Sequence, residues 1–390
     1  MKEDIQNICC EVNKHPDIFV PMSPEIVQTS SFYFSKYEDF MAMSNDEKNN
    51  YVYTRGSNPT TKELEKKLAR LENGEKCKVF SSGMGAISST IFTLVSQGDH
   101  ILVVNTIYGE ALAYFKYLKK FGISVDVANI KTATELDKFI RDNTKLIYFE
   151  SPSSQKFELL DIEYVTKLAR SKNIYTVIDS TWNSPLFQTP LNYNVDIVIH
   201  SLSKYVGGHS DLVGGAIIGN EKLVDKIFEN GHQTLGATIS PFNSWLALRG
   251  LRTLAVRMEY QSTSIKKVLS ELNKDPRISH IFHPYLSDDY QQALANKYLS
   301  GYGSLFAIDL ADDDFDKLKI FVNSLKIISI GVSWGGFESL ALPAFKGNNL
   351  NNLNKRGLAK THIRFYLGLE EPESIIDDIK QALDIAYYKI

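Results

Sequence analysis

The chain has 390 residues, 43% of them hydrophobic and 23% charged, with a net charge of −3. Such a composition is that of an ordinary globular protein, two domains being the default at this length, and its slight acidity argues against nucleic-acid or acidic-membrane partners. No apolar run approaches the roughly 18 residues that span a bilayer, and Met1-Lys-Glu-Asp-Ile carries acid at once, unlike a secretory signal. The expectation is a cytoplasmic protein.

The three cysteines, Cys9, Cys10 and Cys77, show no zinc-ligand spacing and read as reduced thiols, so no metal is expected. Residues 1–58 are broken by prolines and aromatics and read as an extended arm with a little helix. Leucines at 64, 68 and 71 then mark an amphipathic helix over Thr60–Leu71. From there short apolar runs at Lys78–Ser81, His100–Asn105, Leu146–Glu150, Tyr175–Asp179 and Ile197–His200 alternate with helical patterns at Ala86–Ser96, Glu110–Lys120, Ala133–Arg141 and Ile162–Lys172. Strands buried on both faces and joined by helices predict a parallel, doubly wound α/β sheet, with functional groups at the carboxyl ends of its strands. Asn243–Leu272 reads as one long helical stretch, and a smaller α/β segment closing on a helix at Pro372–Tyr387 follows. The boundary between the two parts falls near residue 250. The Asn- and Lys-rich runs Asn45–Asn50 and Lys346–Lys355 read as exposed loops.

Four strand ends carry candidate chemistry. Ser81-Ser-Gly83-Met84-Gly85 is a small-residue turn opening a helix, whose free N–H groups suit a phosphate, although a tight turn needs glycine in any case. Asp179 ends a buried strand, and a carboxylate at that depth calls for a cationic partner; a solvated loop position is the alternative. Tyr108, after the run ending at Asn105, could stack on a heteroaromatic ring or simply pack. The strongest signal is His200-Ser201-Leu-Ser203-Lys204-Tyr-Val-Gly-Gly-His209. A lysine straight after a buried strand, with hydroxyls one and three residues earlier, suits a desolvated amine acting as nucleophile and base. Bonding of that amine to a carbonyl cofactor would account for Lys204, Ser201 and Ser203 together.

With these residues in place, the chain resembles the Cys/Met-metabolism enzymes of pyridoxal 5′-phosphate (PLP)-dependent fold type I, among them cystathionine β- and γ-lyases, cystathionine γ-synthase and methionine γ-lyase. The likeness runs from about Val27 to Leu383 and is most specific in HSLSKYVGGHSD and YTRGSNPTTKELEKKLARLENGE. It implies a large PLP-binding domain over residues 59–250 with a mostly parallel sheet, and a smaller C-terminal α/β domain over 251–390. The arm of residues 1–58 would complete the neighbouring subunit's site.

The resemblance also implies roles. Lys204 would be the Schiff-base lysine, Asp179 the partner of the pyridine nitrogen and Tyr108 the stacking and catalytic tyrosine. The backbone at Gly83 and Met84 and the hydroxyls of Ser201 and Ser203 would hold the phosphate. Tyr53 and Arg55 would reach the neighbour's phosphate, making a homodimer the minimum and a tetramer the usual assembly. Arg364 would grip the substrate α-carboxylate beside Ser333 and Trp334.

Within the family the departures resemble a bacterial cystathionine β-lyase subgroup. The usual cofactor-facing Asn is Ser154, and Trp334 stands where γ-type members have Leu. Glu110 replaces the cysteine of methionine γ-lyases. YTRGSNPT and SSGMGAI look more like the γ-type members. The expected activity is β-elimination from cystathionine to homocysteine, pyruvate and ammonia, with γ-type chemistry or a regulatory PLP-fold protein as alternatives.

Overall fold

The computed structural model describes residues 5–12 and 21–388. Residues 1–4, on which the reading of the chain's start rests, and residues 13–20 of the arm lie outside the described residues. Asn58 caps the helix Pro59–Leu71 by accepting the Thr60 N–H, and the helix buries Leu64, Leu68 and Leu71. Seven strands follow: β1 Lys76–Phe80, β2 His100–Val104, β3 Ser124–Ala128, β4 Thr144–Glu150, β5 Tyr175–Asp179, β6 Ile197–Ser201 and β7 Gly215–Gly219. They form one sheet in the order β1-β7-β6-β5-β4-β2-β3. Four of the central strands, β2, β4, β5 and β6, pair in parallel, so their carboxyl ends share one edge, and Val, Ile and Leu side chains bury both faces.

The sheet is mostly parallel, as expected, with one strand reversed: β7 runs antiparallel to both β1 and β6. Its sequence, Gly-Ala-Ile-Ile-Gly, is bounded by glycines at both ends and does not stand out from a turn. β3 was also not anticipated, because its alternating, partly exposed Ser-Val-Asp-Val-Ala sits at the sheet edge. Ala133–Phe139 is a 3₁₀ helix rather than an α-helix. Asn243–Leu272 is not one helix but two, Pro241–Leu251 and Leu254–Leu272. The carbonyls of Val206 and Gly207 crowd in where a side chain on Gly250 would stand, 2.3 Å from a Cβ there. The Lys-rich run expected as a loop holds a helix at Leu350–Arg356.

A second sheet has the order β10-β11-β12-β9-β8, from β8 Ile278–Phe282, β9 Leu305–Leu310, β10 Ser329–Ile330, β11 Leu340–Pro343 and β12 Ile363–Tyr366. Helices Leu254–Leu272 and Pro372–Tyr388 cover it, with Ile265, Phe306, Phe365 and Ile379 in a common core. Another core joins the two sheets: Trp182, Leu202 and Tyr205 from the first part pack with Leu305 and Tyr366 from the second. That junction brings β12 and the loop before β11 over the carboxyl ends of β5 and β6.

Candidate active site

Lys204 sits in a tight turn beyond β6, with its N–H on Ser201 O at 3.2 Å and its carbonyl accepting from Gly208 N at 2.8 Å. Arg257 fixes the far side of the turn by donating to Tyr205 O at 2.8 Å and Gly250 O at 3.0 Å. On the near side lies the loop before β11. Gly335, at φ +91°, leaves no room for a side chain: a Cβ would stand 2.6 Å from Lys204 Cα. This backbone contact carries Ser333 and Trp334 over the lysine. Lys204 Nζ donates to Ser333 Oγ at 2.5 Å and lies 5.6 Å from the Trp334 ring centroid; Trp334 itself packs edge-on against Tyr205. Arg364, on β12, donates Nη2 to Ser333 O at 2.9 Å. One residue, Ser333, therefore touches both cations, and the structure brings Lys204, Ser333, Trp334 and Arg364 together.

Asp179 ends β5. Its carboxylate accepts the Thr181 N–H at 3.0 Å and the Thr181 hydroxyl, and that hydroxyl accepts Ser201 N–H at 2.8 Å. Asp179 is partly exposed and has no ion-pair partner among the described residues, and loss of solvent around the carboxyl raises it above its ordinary value. Lys204 is displaced the other way. Loss of solvent, then repulsion from Arg364, against attraction by Asp179, lowers its amine from 10.5 to about 8. Burial likewise brings Arg364 down to about 10.

Ser82 caps the helix Gly83–Leu94 by accepting Gly85 N–H at 2.9 Å. A Cβ at Gly83 would be 3.2 Å from Ser201 Oγ, so this helix start and the end of β6 face each other closely. Met84 packs its side chain toward the sheet core. Ser203 Oγ accepts Gly214 N–H at 3.1 Å, which anchors the turn. Tyr108 precedes the helix Gly109–Leu118 and is 48% exposed, within the fields of Asp179 and Arg364. Tyr53 and Arg55 stand apart: Arg55 stacks on Tyr53 at 5.4 Å and donates to Gln233 at 3.1 Å, and neither contact involves the Lys204 cluster.

Glu150 was missed as a functional residue. It ends β4 in register with Asp179, accepts Tyr108 N–H and the Ser154 hydroxyl at 2.6 Å each, and has no ion-pair partner among the described residues. The signal that picked out Asp179, an acid closing a buried strand, was present here too.

A mostly parallel sheet with a lysine of lowered basicity beyond one strand end, a desolvated acid without an ion-pair partner among the described residues on the next and a helix start opposite defines a PLP-dependent enzyme of fold type I. The chain belongs to the Cys/Met metabolism PLP-dependent enzyme family, which it matches over residues 7–384. L-Methionine γ-lyase of Treponema denticola is 36% identical, over 95% of this chain and 94% of that protein. Cystathionine β-lyase of Lactococcus lactis subsp. cremoris is 34% identical over 86% of this chain and 88% of the relative. A Campylobacter jejuni structure described as an O-acetylhomoserine (thiol)-lyase holding N′-pyridoxyl-lysine-5′-monophosphate superposes with a TM-score of 0.91 at 29% identity, covering 98% of this chain and all of that one. The protein is thus a PLP-dependent enzyme of sulfur amino-acid metabolism. No helix among its described residues is long and apolar enough to cross a membrane.

Proposed function

We propose that the protein is a carbon–sulfur lyase that cleaves cystathionine by β-elimination, with Lys204 moving the proton. Bound PLP supplies an aldehyde that condenses with amines and a ring that accepts the electron pair released at the substrate Cα. The residues fit that group. Asp179, desolvated and without an ion-pair partner among the described residues, suits a protonated ring nitrogen. The Gly83 and Met84 backbone at a helix start, with Ser201 and Ser203 opposite, suits a phosphate. Tyr108 would lie over the ring. Tyr53 and Arg55 lie away from this cluster and would serve the neighbouring subunit's phosphate, in a homodimer or tetramer. The same reading gives the cofactor to residues 59–250, with 251–390 as the second domain, and a cytoplasmic setting.

Arg364 would hold the substrate α-carboxylate, for which a planar guanidinium offers two parallel donors. Lys204 would take the Cα proton and return it to the departing sulfur, a task for an amine that titrates near 8. This lysine of lowered basicity, beside a desolvated acid with no ion-pair partner among the described residues, is the observation that carries the lyase reading. The β assignment draws on the Ser333–Trp334 loop. Its hydroxyl holds Nζ and its indole flanks it, which favours exchange between Cα and one neighbouring leaving group. γ-Elimination requires a second deprotonation at Cβ and hence a wider swing of the amine.

γ-Elimination is the second reading, favoured by the identity with methionine γ-lyases and by the Tyr53–Thr60 stretch. Incubation with cystathionine separates them. Pyruvate with homocysteine supports β-cleavage, 2-oxobutyrate with cysteine replaces it with the γ reading, and no oxo acid from cystathionine or methionine overturns both.

A further inference from the structure

Glu150 and Asp179 close neighbouring parallel strands at matched register, so two carboxyls, Glu150 buried and Asp179 partly exposed, stand side by side. Two such groups resist being charged together. Their surroundings decide which one keeps a proton. Asp179 accepts two donors from Thr181 and has His200 and Lys204 near it, both favouring its charged form. Glu150 has Asp179 beside it, with Arg356 as a favourable charge; the phenols of Tyr108 and Tyr148 face the pair as neutral groups. Burial first, then Asp179, pushes Glu150 up to about 8 against the pull of its hydrogen bonds.

Those hydrogen bonds connect three segments. Oε1 takes the Tyr108 peptide N–H and Oε2 meets Ser154 Oγ, each at 2.6 Å. A serine hydroxyl can donate to a carboxylate or accept from an acid, so the second contact serves either protonation state. The ring of Tyr108 is 48% exposed and has no aromatic partner among the described residues, so its backbone anchor sets where it points.

We propose that Glu150 is a positioning residue that ties the Tyr108 peptide to the Ser154 loop and so fixes the Tyr108 ring over the Lys204 site. The idea rests on the lyase reading only for its effect on turnover. A side chain at 150 that accepts at one end and is uncharged should then suffice.

The test compares full-length wild type with Glu150→Gln, Glu150→Ala and Ser154→Ala. Hydrogen exchange by mass spectrometry over the peptide containing Tyr108 should speed up at least about tenfold in Glu150→Ala. Glu150→Gln should restore the slow exchange, and with it a kcat that Glu150→Ala loses at nearly constant KM. Ser154→Ala should fall between them. Thermal stability supplies the charge test. An acid held protonated in the fold but ionised when unfolded makes stability fall as pH rises from about 4.5 to about 8. The melting temperature of Glu150→Gln should therefore gain on wild type across that interval. A gap that stays flat with pH, or fast exchange in Glu150→Gln, would overturn the proposal. If the protein cleaves no sulfur amino acid, the lyase reading fails alone, because exchange and melting need no substrate.

Discussion

Replacing Arg364 with Met should raise the pH at which Lys204 becomes a free base. In the intact site the amine titrates near 8 instead of 10.5, with burial as the first cause and Arg364 as the second. At pH 7.5 that leaves roughly a quarter of Lys204 neutral, against about one in a thousand for an ordinary lysine. Both cations contact Ser333, Nζ at its hydroxyl and the guanidinium at its carbonyl, so the two charges are close neighbours. Their repulsion through a partly screened interior is on the order of 1–2 kcal/mol, so removing Arg364 should move the midpoint up by about one pH unit. Pulse labelling of cofactor-free protein with an amine-reactive reagent, read at the Lys204 peptide across pH 6–11, measures it directly. Lys204 labelling with the surface lysines, or an unmoved midpoint in Arg364→Met, would refute the reasoning.

Gly335→Ala should cost about 1–3 kcal/mol in denaturant melts, since the new methyl would meet Lys204 Cα at 2.6 Å on a backbone already at φ +91°; it should also lower kcat by shifting Ser333 off the amine. Asp179→Ala should weaken PLP retention at least about a hundredfold in equilibrium dialysis, because a ring cation would lose its buried counter-charge. Arg55→Ala should weaken PLP retention too, and mixing it with Lys204→Ala should regain activity through one intact site per mixed dimer.

The sequence was most legible where local pattern and burial agree. β5 spans Tyr175–Asp179 as read, because five residues bounded by a charge and packed on both faces leave little choice. Lys204, Asp179, Arg364 and Trp334 were visible as residue types in unusual places or through resemblance. β7 was not, since two glycines around three small apolar residues give no period to read, and its pairing comes from β1 and β6 on either side. The break at Arg252–Thr253 was hidden for a similar reason: one of the carbonyls that Arg257 holds, Tyr205 O, lies in a turn about fifty residues earlier. Glu150 escaped because its importance lies in its neighbours. The strand order that puts β4 beside β5, and the turn that brings Tyr108 N–H to it, are tertiary facts with no local signature.

Reduction of the PLP-loaded protein with borohydride, followed by peptide mapping, tests the central claim most directly. The pyridoxyl group should be found on the peptide containing Lys204, and Lys204→Ala should lack both the visible absorbance and turnover of cystathionine. A pyridoxyl label on another lysine, or cystathionine cleavage by the Lys204→Ala protein, would contradict the account.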